Sequence, residues 1–172
     1  KSFATSADDI GNLPLEVCET INGSWGFNLK DRKHKSKKEL IQYLIKAAGY
    51  DSNLLLNVGP MPNGRIQKEH IKSLSEIGQW VKLNGETIYG TNRGPIDPTD
   101  EIASTQKDNT TYIHLLDNKS TYFIEGYNPK IKKITYYQSN KKVSYQKTKS
   151  GLIINVNDDE LNEIDTIIKI EI

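Results

Sequence analysis

The spacing of apolar residues in this chain changes at about residue 95, and this change limits the folds that the chain can adopt. Before that point, short apolar runs alternate with segments whose apolar residues recur every three or four positions, as in a helix. After it, the helical spacing disappears, and short segments rich in Ile, Tyr, Val and Thr alternate with polar turns. We therefore predict an α/β part followed by an all-β part, with the boundary between Tyr89 and Ile102.

Four segments of the α/β part have the spacing of regular elements. In chain order they read strand, helix, strand and helix: 13–21 (LPLEVCETI), 36–49 (SKKELIQYLIKAAG), 54–60 (LLLNVGP) and 68–85 (KEHIKSLSEIGQWVKLNG). Ser36 and Glu39 form a capping box at the start of the first helix, and Gly49 is its stop signal. The unbroken apolar run of the second strand predicts burial on both faces. This order predicts parallel strands covered by helices, with too few units to close a sheet.

The same spacing predicts which side chains share a face. The first strand has an apolar face with Leu13, Leu15, Val17 and Ile21, and a second face with Glu16, Cys18 and Thr20. In the second helix, the stripe that should face the sheet of this part is Ile71, Leu74, Ile77 and Val81. Glu19 has the opposite parity to Glu16, so it should point elsewhere and be structural or exposed.

The all-β part contains six short segments with the composition of strands. They are 111–116 (TYIHLL), 121–126 (TYFIEG), 131–137 (IKKITYY), 142–146 (KVSYQ), 151–156 (GLIINV) and 164–172 (IDTIIKIEI). Several short strands at this spacing predict a small antiparallel β-sandwich. The two predicted domains are therefore residues 1–95 and residues 96–172.

Charge and composition argue against several classes of protein. The formal net charge is +1, so no strong field attracts nucleic acid or an anionic membrane. No apolar run reaches the ~20 residues of a membrane-spanning helix, and none near Lys1 has the length of a signal peptide. The chain does not begin with Met, and we expect a mature form or a piece of a longer protein. The basic run 30–39 (KDRKHKSKKE) has no aromatic residues, which favours a solvated loop over a nucleic-acid site.

Residues 15–28 (LEVCETINGSWGFN) hold the densest set of chemically capable side chains. Glu16, if held partly desolvated on the inner face of a barrel strand, would have a raised pKa and could act as a general acid. The alternative is an ordinary solvated glutamate, the commoner state of this residue type. Trp25 could stack on a sugar ring or anchor its loop to the core. Cys18 is expected to be a small buried thiol.

The sequence predicts no cofactor and no metal ion. His34, His70 and His114 do not have the spacing of metal ligands, and each is expected on a surface or on a strand. Gly59 and Gly64 lack the spacing and the Lys-Ser/Thr pair of a phosphate-binding loop.

Three strings in the α/β part resemble those of one enzyme family. They are 15–28 (LEVCETINGSWGFN), 53–66 (NLLLNVGPMPNGRI) and 77–91 (IGQWVKLNGETIYGT). In the same order, they are similar to W-E-x-C-x-T-I-x-x-S-W-G-Y, L-L-N-x-G-P-x-x-x-G-x-I and I-G-x-W-L-x-x-N-G-E-x-I-Y-G-T of the α-L-fucosidases of glycoside hydrolase family 29. The resemblance covers about residues 13–95, and residues 96–172 resemble the family's C-terminal domain in layout more than in sequence.

This resemblance implies a fold, a reaction and two site residues. The implied fold is the C-terminal portion of a (β/α)8-like barrel followed by an antiparallel β-sandwich. The implied reaction is retaining exo-hydrolysis that removes terminal α-L-fucose from glycans or glycoconjugates without a cofactor. Glu16 matches the position of the general acid/base, and Trp25 belongs to the following loop, where substrate binding is implied. Cys18 matches a family cysteine with no catalytic role.

The chain also departs from the family pattern. Leu15 stands where the family usually has Trp, a change that affects aglycone contacts more than the acid. The family's nucleophile, an aspartate on an earlier barrel strand, and its N-terminal fucose-binding histidines and tryptophan have no counterpart in these 172 residues. The missing N-terminal part of the barrel is therefore an implied partner, and we predict that the chain alone is inactive. Secreted, periplasmic or lysosomal location is typical of such enzymes. The alternative is a non-catalytic remnant or fragment whose β-sandwich is structural or binds glycans.

Overall fold

The computed structural model describes residues 14–172. Its helices are α1 (Lys37–Gly49) and α2 (Lys68–Asn84), with 3₁₀ turns at Gly85–Thr87 and Asp158–Glu160. Its strands are β1 (Leu15–Thr20), β2 (Ser52–Asn57), β3 (Asn92–Arg93), β4 (Ile102–Lys107), β5 (Thr110–Leu115), β6 (Thr121–Glu125), β7 (Lys133–Tyr136), β8 (Ser144–Lys147), β9 (Gly151–Asn155) and β10 (Thr166–Glu171). The order of strand, helix, strand and helix before a run of strands is the predicted one. Leu13, predicted on the first strand, lies outside the described residues.

Strands β1 and β2 form a parallel pair joined through α1. Their register places Glu16 beside Asn53 and Cys18 beside Leu55, so these four side chains share one face of the sheet. All four are exposed. The prediction that the second strand is buried on both faces is therefore wrong, because no layer formed by residues 14–172 covers this face.

Helix α1 begins as predicted. The Ser36 hydroxyl accepts a hydrogen bond from the Glu39 backbone N–H at 3.2 Å, and the Glu39 carboxylate accepts one from the Ser36 backbone N–H at 2.7 Å. The end of the helix differs from the predicted one. Gly49 is the last helical residue, and the left-handed φ, 58°, is found at Asp51 instead. A Cβ on Gly49 would lie 2.7 Å from the Pro98 ring, so this glycine is needed for close packing rather than for a turn.

Helix α2 buries a different face from the predicted one. Ile71 and Leu74 are exposed to 54% and 37%, whereas His70, Ser73, Trp80 and Asn84 are buried. Of the predicted stripe, only Ile77 and Val81 pack into an apolar cluster, which they share with Trp80. At the start of the helix the buried residues, His70 and Ser73, are polar. A prediction from apolar spacing therefore assigned the wrong face there.

The all-β part consists of two antiparallel sheets that enclose one apolar core. The five-stranded sheet has the order β3-β4-β5-β10-β7, and the three-stranded sheet has the order β6-β9-β8. Side chains from both sheets meet in this core, among them Ile113, Leu115, Ile124, Leu152, Ile154, Ile168 and Ile170. The six predicted segments each overlap one of the strands β5 to β10, although β5 begins one residue before its segment and β8 ends one residue after its segment.

The sequence pattern missed β3 and β4. Strand β4 reads IASTQK, which has few of the large apolar residues that mark a buried strand. Its buried hydroxyl groups are nevertheless satisfied, since Ser104 donates to the Ile96 carbonyl at 2.8 Å and Thr105 donates to the Thr87 carbonyl at 2.6 Å. These bonds replace apolar packing as the reason that this strand can be buried.

The helices cover the other face of the five-stranded sheet. Ile41 and Ile45 of α1 and Trp80 of α2 pack there against side chains of β4, β5 and β10. The Gln42 side chain donates to the backbone carbonyls of Leu116 and Ile164 at 2.6 and 2.8 Å. The α/β part and the all-β part are thus joined by one apolar cluster and by buried hydrogen bonds.

Candidate active site

Glu16 is the second residue of β1 and lies on its exposed face. Four positions separate it from Thr20 at the end of the strand, which corresponds to about 13 Å along an extended backbone. Its carboxylate makes no hydrogen bond and no ion pair with any other residue between 14 and 172. The expected partial desolvation of Glu16 is therefore not present, because nothing in the described residues covers the face on which it lies.

Glu19 points away from Glu16, as predicted from its position in the strand. Its carboxylate lies 3.2 Å from the Lys35 ammonium and accepts a hydrogen bond from the Thr20 backbone N–H at 2.7 Å. Burial raises the pKa of Glu19, but the hydrogen bond from Thr20 and the charge of Lys35 together lower it below the ordinary value. These contacts give Glu19 a structural role at the end of β1.

Cys18 lies on the same face as Glu16, and its thiol is free and exposed. The prediction of a buried thiol is therefore wrong for this chain. Cys18 shares a face of the sheet with Glu16 and Leu55, and none of the described residues covers that face.

The loop that follows β1 is fixed at its start. The Lys35 ammonium donates to the Thr20 carbonyl at 2.7 Å, and the Lys35 backbone N–H donates to the Ile21 carbonyl at 2.8 Å. Ile21 is fully buried, and the Thr20 hydroxyl donates to the Asn22 carbonyl. Trp25 follows three residues later and is 47% exposed.

The loop that follows β2 meets this first loop. The Asn57 side-chain amide donates to the Trp25 carbonyl at 2.6 Å, and Gly59 packs directly on the backbone of Gly26 and Phe27. Both loops start at the carboxyl ends of parallel strands, where the ligand sites of α/β proteins lie. A groove between them is lined by Phe27, Leu29, Arg32, His34, Met61 and Glu69, among others.

His34 and His70, which are far apart in sequence, lie next to each other in the structure. The rings of His34 and His70 lie 5.5 Å apart in an edge-to-face arrangement, and the Gln67 side-chain amide is 3.1 Å from the His34 Nε2 atom. His70 is 1% exposed, and neither of its ring nitrogens has a hydrogen-bond partner among residues 14–172. The expectation of a surface or strand position is wrong for His70, which is buried on α2.

His114 forms a second pair that could not be read from the sequence. It lies on β5, as expected of a strand histidine, but it is fully buried. Its Nδ1 atom is 2.9 Å from the carboxylate of Asp165, 51 residues away in sequence. Burial raises the pKa of Asp165, and the neighbouring His114 opposes this shift. By the register of β5 and β10, His114 lies on the same face of the five-stranded sheet as Tyr112 and Ile167, which is the face that the helices cover.

We expect the free energy of unfolding to fall as pH drops below about 6.5, partly because of His70. Burial, and to a lesser extent His34, lowers the pKa of His70 below the ordinary 6.5, while Glu69 and Asp31 oppose the shift. Below that pH the unfolded chain binds a proton at His70 that the folded chain does not, so stability decreases by at most about 1.4 kcal/mol per pH unit.

Urea unfolding at several pH values would test this, with His70→Leu as the comparison. The substitution should flatten the dependence below pH 6.5. All other ionisable groups are the same in both proteins, so the difference between the two slopes reports the contribution of His70. An equal slope in the parent and in His70→Leu would contradict the assignment.

Metal-binding clusters and membrane-spanning helices are both absent from the described residues. Within residues 14–172, no group of three or more His, Cys, Asp or Glu side chains could hold a metal ion. In the same part of the chain, no helix has both the length and the apolar character needed to cross a bilayer.

Comparisons with known proteins agree on one class. The family model for alpha-L-fucosidase matches residues 4–86. An alpha-L-fucosidase of Dictyostelium discoideum is 34% identical over 97 residues, which are 52% of this chain and 21% of the relative. The human plasma alpha-L-fucosidase is 35% identical over 80 residues, which are 45% of this chain and 17% of the relative. The structure of alpha-L-fucosidase isoenzyme 1 from Paenibacillus thiaminolyticus matches with a TM-score of 0.82 and 29% identity, over 92% of this chain and 40% of that one.

These relatives are glycosidases, which are hydrolases of glycosidic bonds. Within that class, the chain is related to the α-L-fucosidases, and the resemblance carried by the three sequence strings is confirmed. The chain spans about a fifth of the length of the curated relatives it matches, 21% and 17% for the two above.

Proposed function

We propose that this chain is the part of a retaining exo-α-L-fucosidase that carries the general acid/base, Glu16. One observation carries the proposal. The strand that bears Glu16 falls within the region matched by the fucosidase family model, residues 4–86, and presents Glu16 on a sheet face that residues 14–172 leave uncovered. The substrate is a glycan or glycoconjugate that ends in α-L-fucose.

In this proposal, residues 1–95 are the C-terminal segment of a (β/α)8-like barrel. Two features support it: β1 and β2 are parallel, and the exposed face of Glu16 lies opposite the half-buried face of Leu15 and Val17. In such a barrel, one face of each strand points inward and the helices cover the other. The remaining strands, supplied by the missing N-terminal part, would cover the face that bears Cys18 and Leu55. Residues 96–172 form the β-sandwich that follows.

Glu16 first donates its proton to the glycosidic oxygen as the bond to the aglycone breaks. The nucleophile is an aspartate of an earlier strand, outside this chain, and it attacks the anomeric carbon from the opposite side to form a glycosyl-enzyme. Glu16, now ionised, removes a proton from the water that releases fucose. This sequence needs the two carboxyl groups to lie about 5–5.5 Å apart. The covering strands would also desolvate Glu16 and raise its pKa toward the range of a general acid.

Trp25 is proposed to contact the substrate from the loop at the carboxyl end of β1. Support comes from its 47% exposure and from its position two residues before Phe27, which lines the groove. An indole ring offers an apolar surface on which the C–H groups of a sugar can stack.

The test of this function is the stereochemistry of the product. We call this chain together with the missing N-terminal part of the barrel the complete protein. We expect it to hydrolyse an aryl α-L-fucoside and to release α-L-fucose before mutarotation, as followed by proton NMR. Initial release of β-L-fucose would show an inverting enzyme and contradict the mechanism. The absence of hydrolysis, with intact folding, would contradict the function.

A second candidate is non-catalytic binding of glycans by the all-β part. A groove beside the end of α2 favours it, since its lining combines an aromatic ring with polar groups: Leu83, Glu86, Tyr137, Gln138, Asn140 and Lys169. Three of these groups are already engaged. The Tyr137 hydroxyl donates to the Glu86 carboxylate at 3.2 Å, and the Gln138 side-chain amide donates to the Asn84 side-chain oxygen at 2.8 Å. Glycan binding that persists in the complete protein after loss of Glu16, but is lost on changing Lys169, would identify this second function.

A further inference from the structure

We infer that Asn57 and Gly59 are positioning residues that fix the place of Trp25 in the candidate active site. The inference rests on the proposed function, in which Trp25 contacts the substrate. It concerns the string LLNVGP, whose glycine does not belong to a phosphate-binding loop. Neither residue needs to touch substrate for this role.

Asn57 holds the Trp25 loop through one directed bond. It is the last residue of β2 and is paired in register with Thr20, the last residue of β1, so both loops leave the sheet at the same level. Its side-chain Nδ2 atom is 2.6 Å from the carbonyl oxygen of Trp25 itself. An aspartate in its place would put an oxygen against that carbonyl and turn an attraction into a repulsion.

Gly59 holds the same loop by allowing close approach. A Cβ built on Gly59 would lie 2.6 Å from the carbonyl carbon of Gly26 and 2.6 Å from the backbone nitrogen of Phe27. Both atoms belong to the backbone, so no side-chain rotation can relieve the contact. The φ of Gly59 is not in the left-handed region, unlike that of Gly64, so an alanine here would act through this contact and not through backbone strain.

The two contacts act on a loop whose start is already fixed. The start of the loop is fixed by Lys35 at Thr20 and Ile21, and Trp25 follows after Asn22, Gly23 and Ser24. Asn57 then fixes the carbonyl of Trp25, and Gly59 fixes the next peptide group. The backbone of this exposed aromatic residue is therefore held from the end of β2.

The first test is a double-mutant cycle on the complete protein. We expect Asn57→Asp to raise KM for a natural fucoside by about tenfold, the equivalent of one lost hydrogen bond, and to change kcat much less. Gly59→Ala should have at least as large an effect. In a Trp25→Ala background, both substitutions should have no further effect on KM, because they act through Trp25.

Matched controls are available in the same chain. The Asn128 side chain donates to the Thr148 carbonyl at 3.2 Å in the all-β part, and a Cβ on Gly78 of α2 would meet no atom within 4 Å. Asn128→Asp and Gly78→Ala should therefore leave KM unchanged. Additive effects of Asn57→Asp and Trp25→Ala, or equal effects of the control substitutions, would overturn the inference.

The second test does not depend on activity. The protein is labelled with 5-fluorotryptophan, and the ¹⁹F signal of Trp25 is identified by its absence in Trp25→Phe. Asn57→Asp and Gly59→Ala should shift or broaden this signal while leaving that of buried Trp80 unchanged. A shift without fucosidase activity would retain the positioning role and reject the proposed function. An unchanged Trp25 signal would overturn the positioning role whatever the activity.

Discussion

Glu16→Gln in the complete protein is expected to lower kcat/KM for natural fucosides by a factor of about 10²–10⁴, the usual contribution of general acid–base catalysis. Glutamine cannot protonate the glycosidic oxygen, so a poor leaving group departs slowly. An activated aryl leaving group departs without protonation, so its glycosylation step should be affected least. Added azide should then restore deglycosylation of such a substrate, because an anionic nucleophile needs no general base.

Glu19→Gln is the matched control for this prediction. Glu19 lies three residues away on the same strand, but its carboxylate is held by Lys35 and Thr20 on the other face. Its replacement should cost some stability and leave the dependence on leaving group unchanged. If Glu19→Gln abolished turnover and Glu16→Gln behaved like the parent protein, Glu19 would be the acid.

The elements that the sequence predicts well are those in which a local signal decides the structure. The capping box of Ser36 and Glu39 forms within four residues, and the alternation in β1 assigns Glu16 and Glu19 to opposite faces. Three spaced strings were enough to indicate the family, and the comparisons confirm it. The positions of Glu16 and Trp25 in the reaction stay predictions.

The features that the sequence did not reveal depend on contacts between distant residues. His70 is buried although a histidine carries no apolar signal, and β4 is buried through the hydrogen bonds of Ser104 and Thr105. The bond from Asn57 to Trp25 joins two residues that are 32 positions apart in sequence. Apolar periodicity reports none of these, because each depends on where other segments fold.

Exposure of Ile71 and Leu74 has a related cause. Periodicity shows that a side chain is suited to burial, but it does not show which surface covers it. In residues 14–172, α2 packs on α1 and on the five-stranded sheet through its other face. The proposed barrel would supply further surface for the exposed side chains.

The 172-residue chain alone is expected to show no hydrolysis of α-L-fucosides. A retaining mechanism needs two carboxyl groups about 5–5.5 Å apart, and the proposed function assigns one of them, Glu16, to this chain. Asp31 lies in the turn after β1, where it accepts a hydrogen bond from the Lys33 backbone N–H at 3.3 Å. Asp51 lies in the turn before β2, at the opposite end of the strand from the loop of Trp25.

The exposed surface of the chain predicts that the chain alone is also prone to aggregate. Leu55, Ile71 and Leu74 are exposed to 44%, 54% and 37%, and the two-stranded sheet formed by β1 and β2 has an unpaired edge on each side within residues 14–172. Such edges and apolar surfaces favour aggregation. We therefore expect the purified chain to self-associate in light scattering, and to stay dispersed when the N-terminal part of the barrel is present.

Mixing the chain with its separately expressed N-terminal part would test whether that part restores activity. Neither part alone should hydrolyse an activated aryl α-L-fucoside, because the proposed mechanism places one of the two carboxyl groups on each part. The mixture should hydrolyse it, since association would place Glu16 opposite the aspartate and cover the face shared by Glu16, Cys18 and Leu55. Turnover by the 172-residue chain alone that disappears in Glu16→Gln would contradict the prediction, because it would require a nucleophile within this sequence.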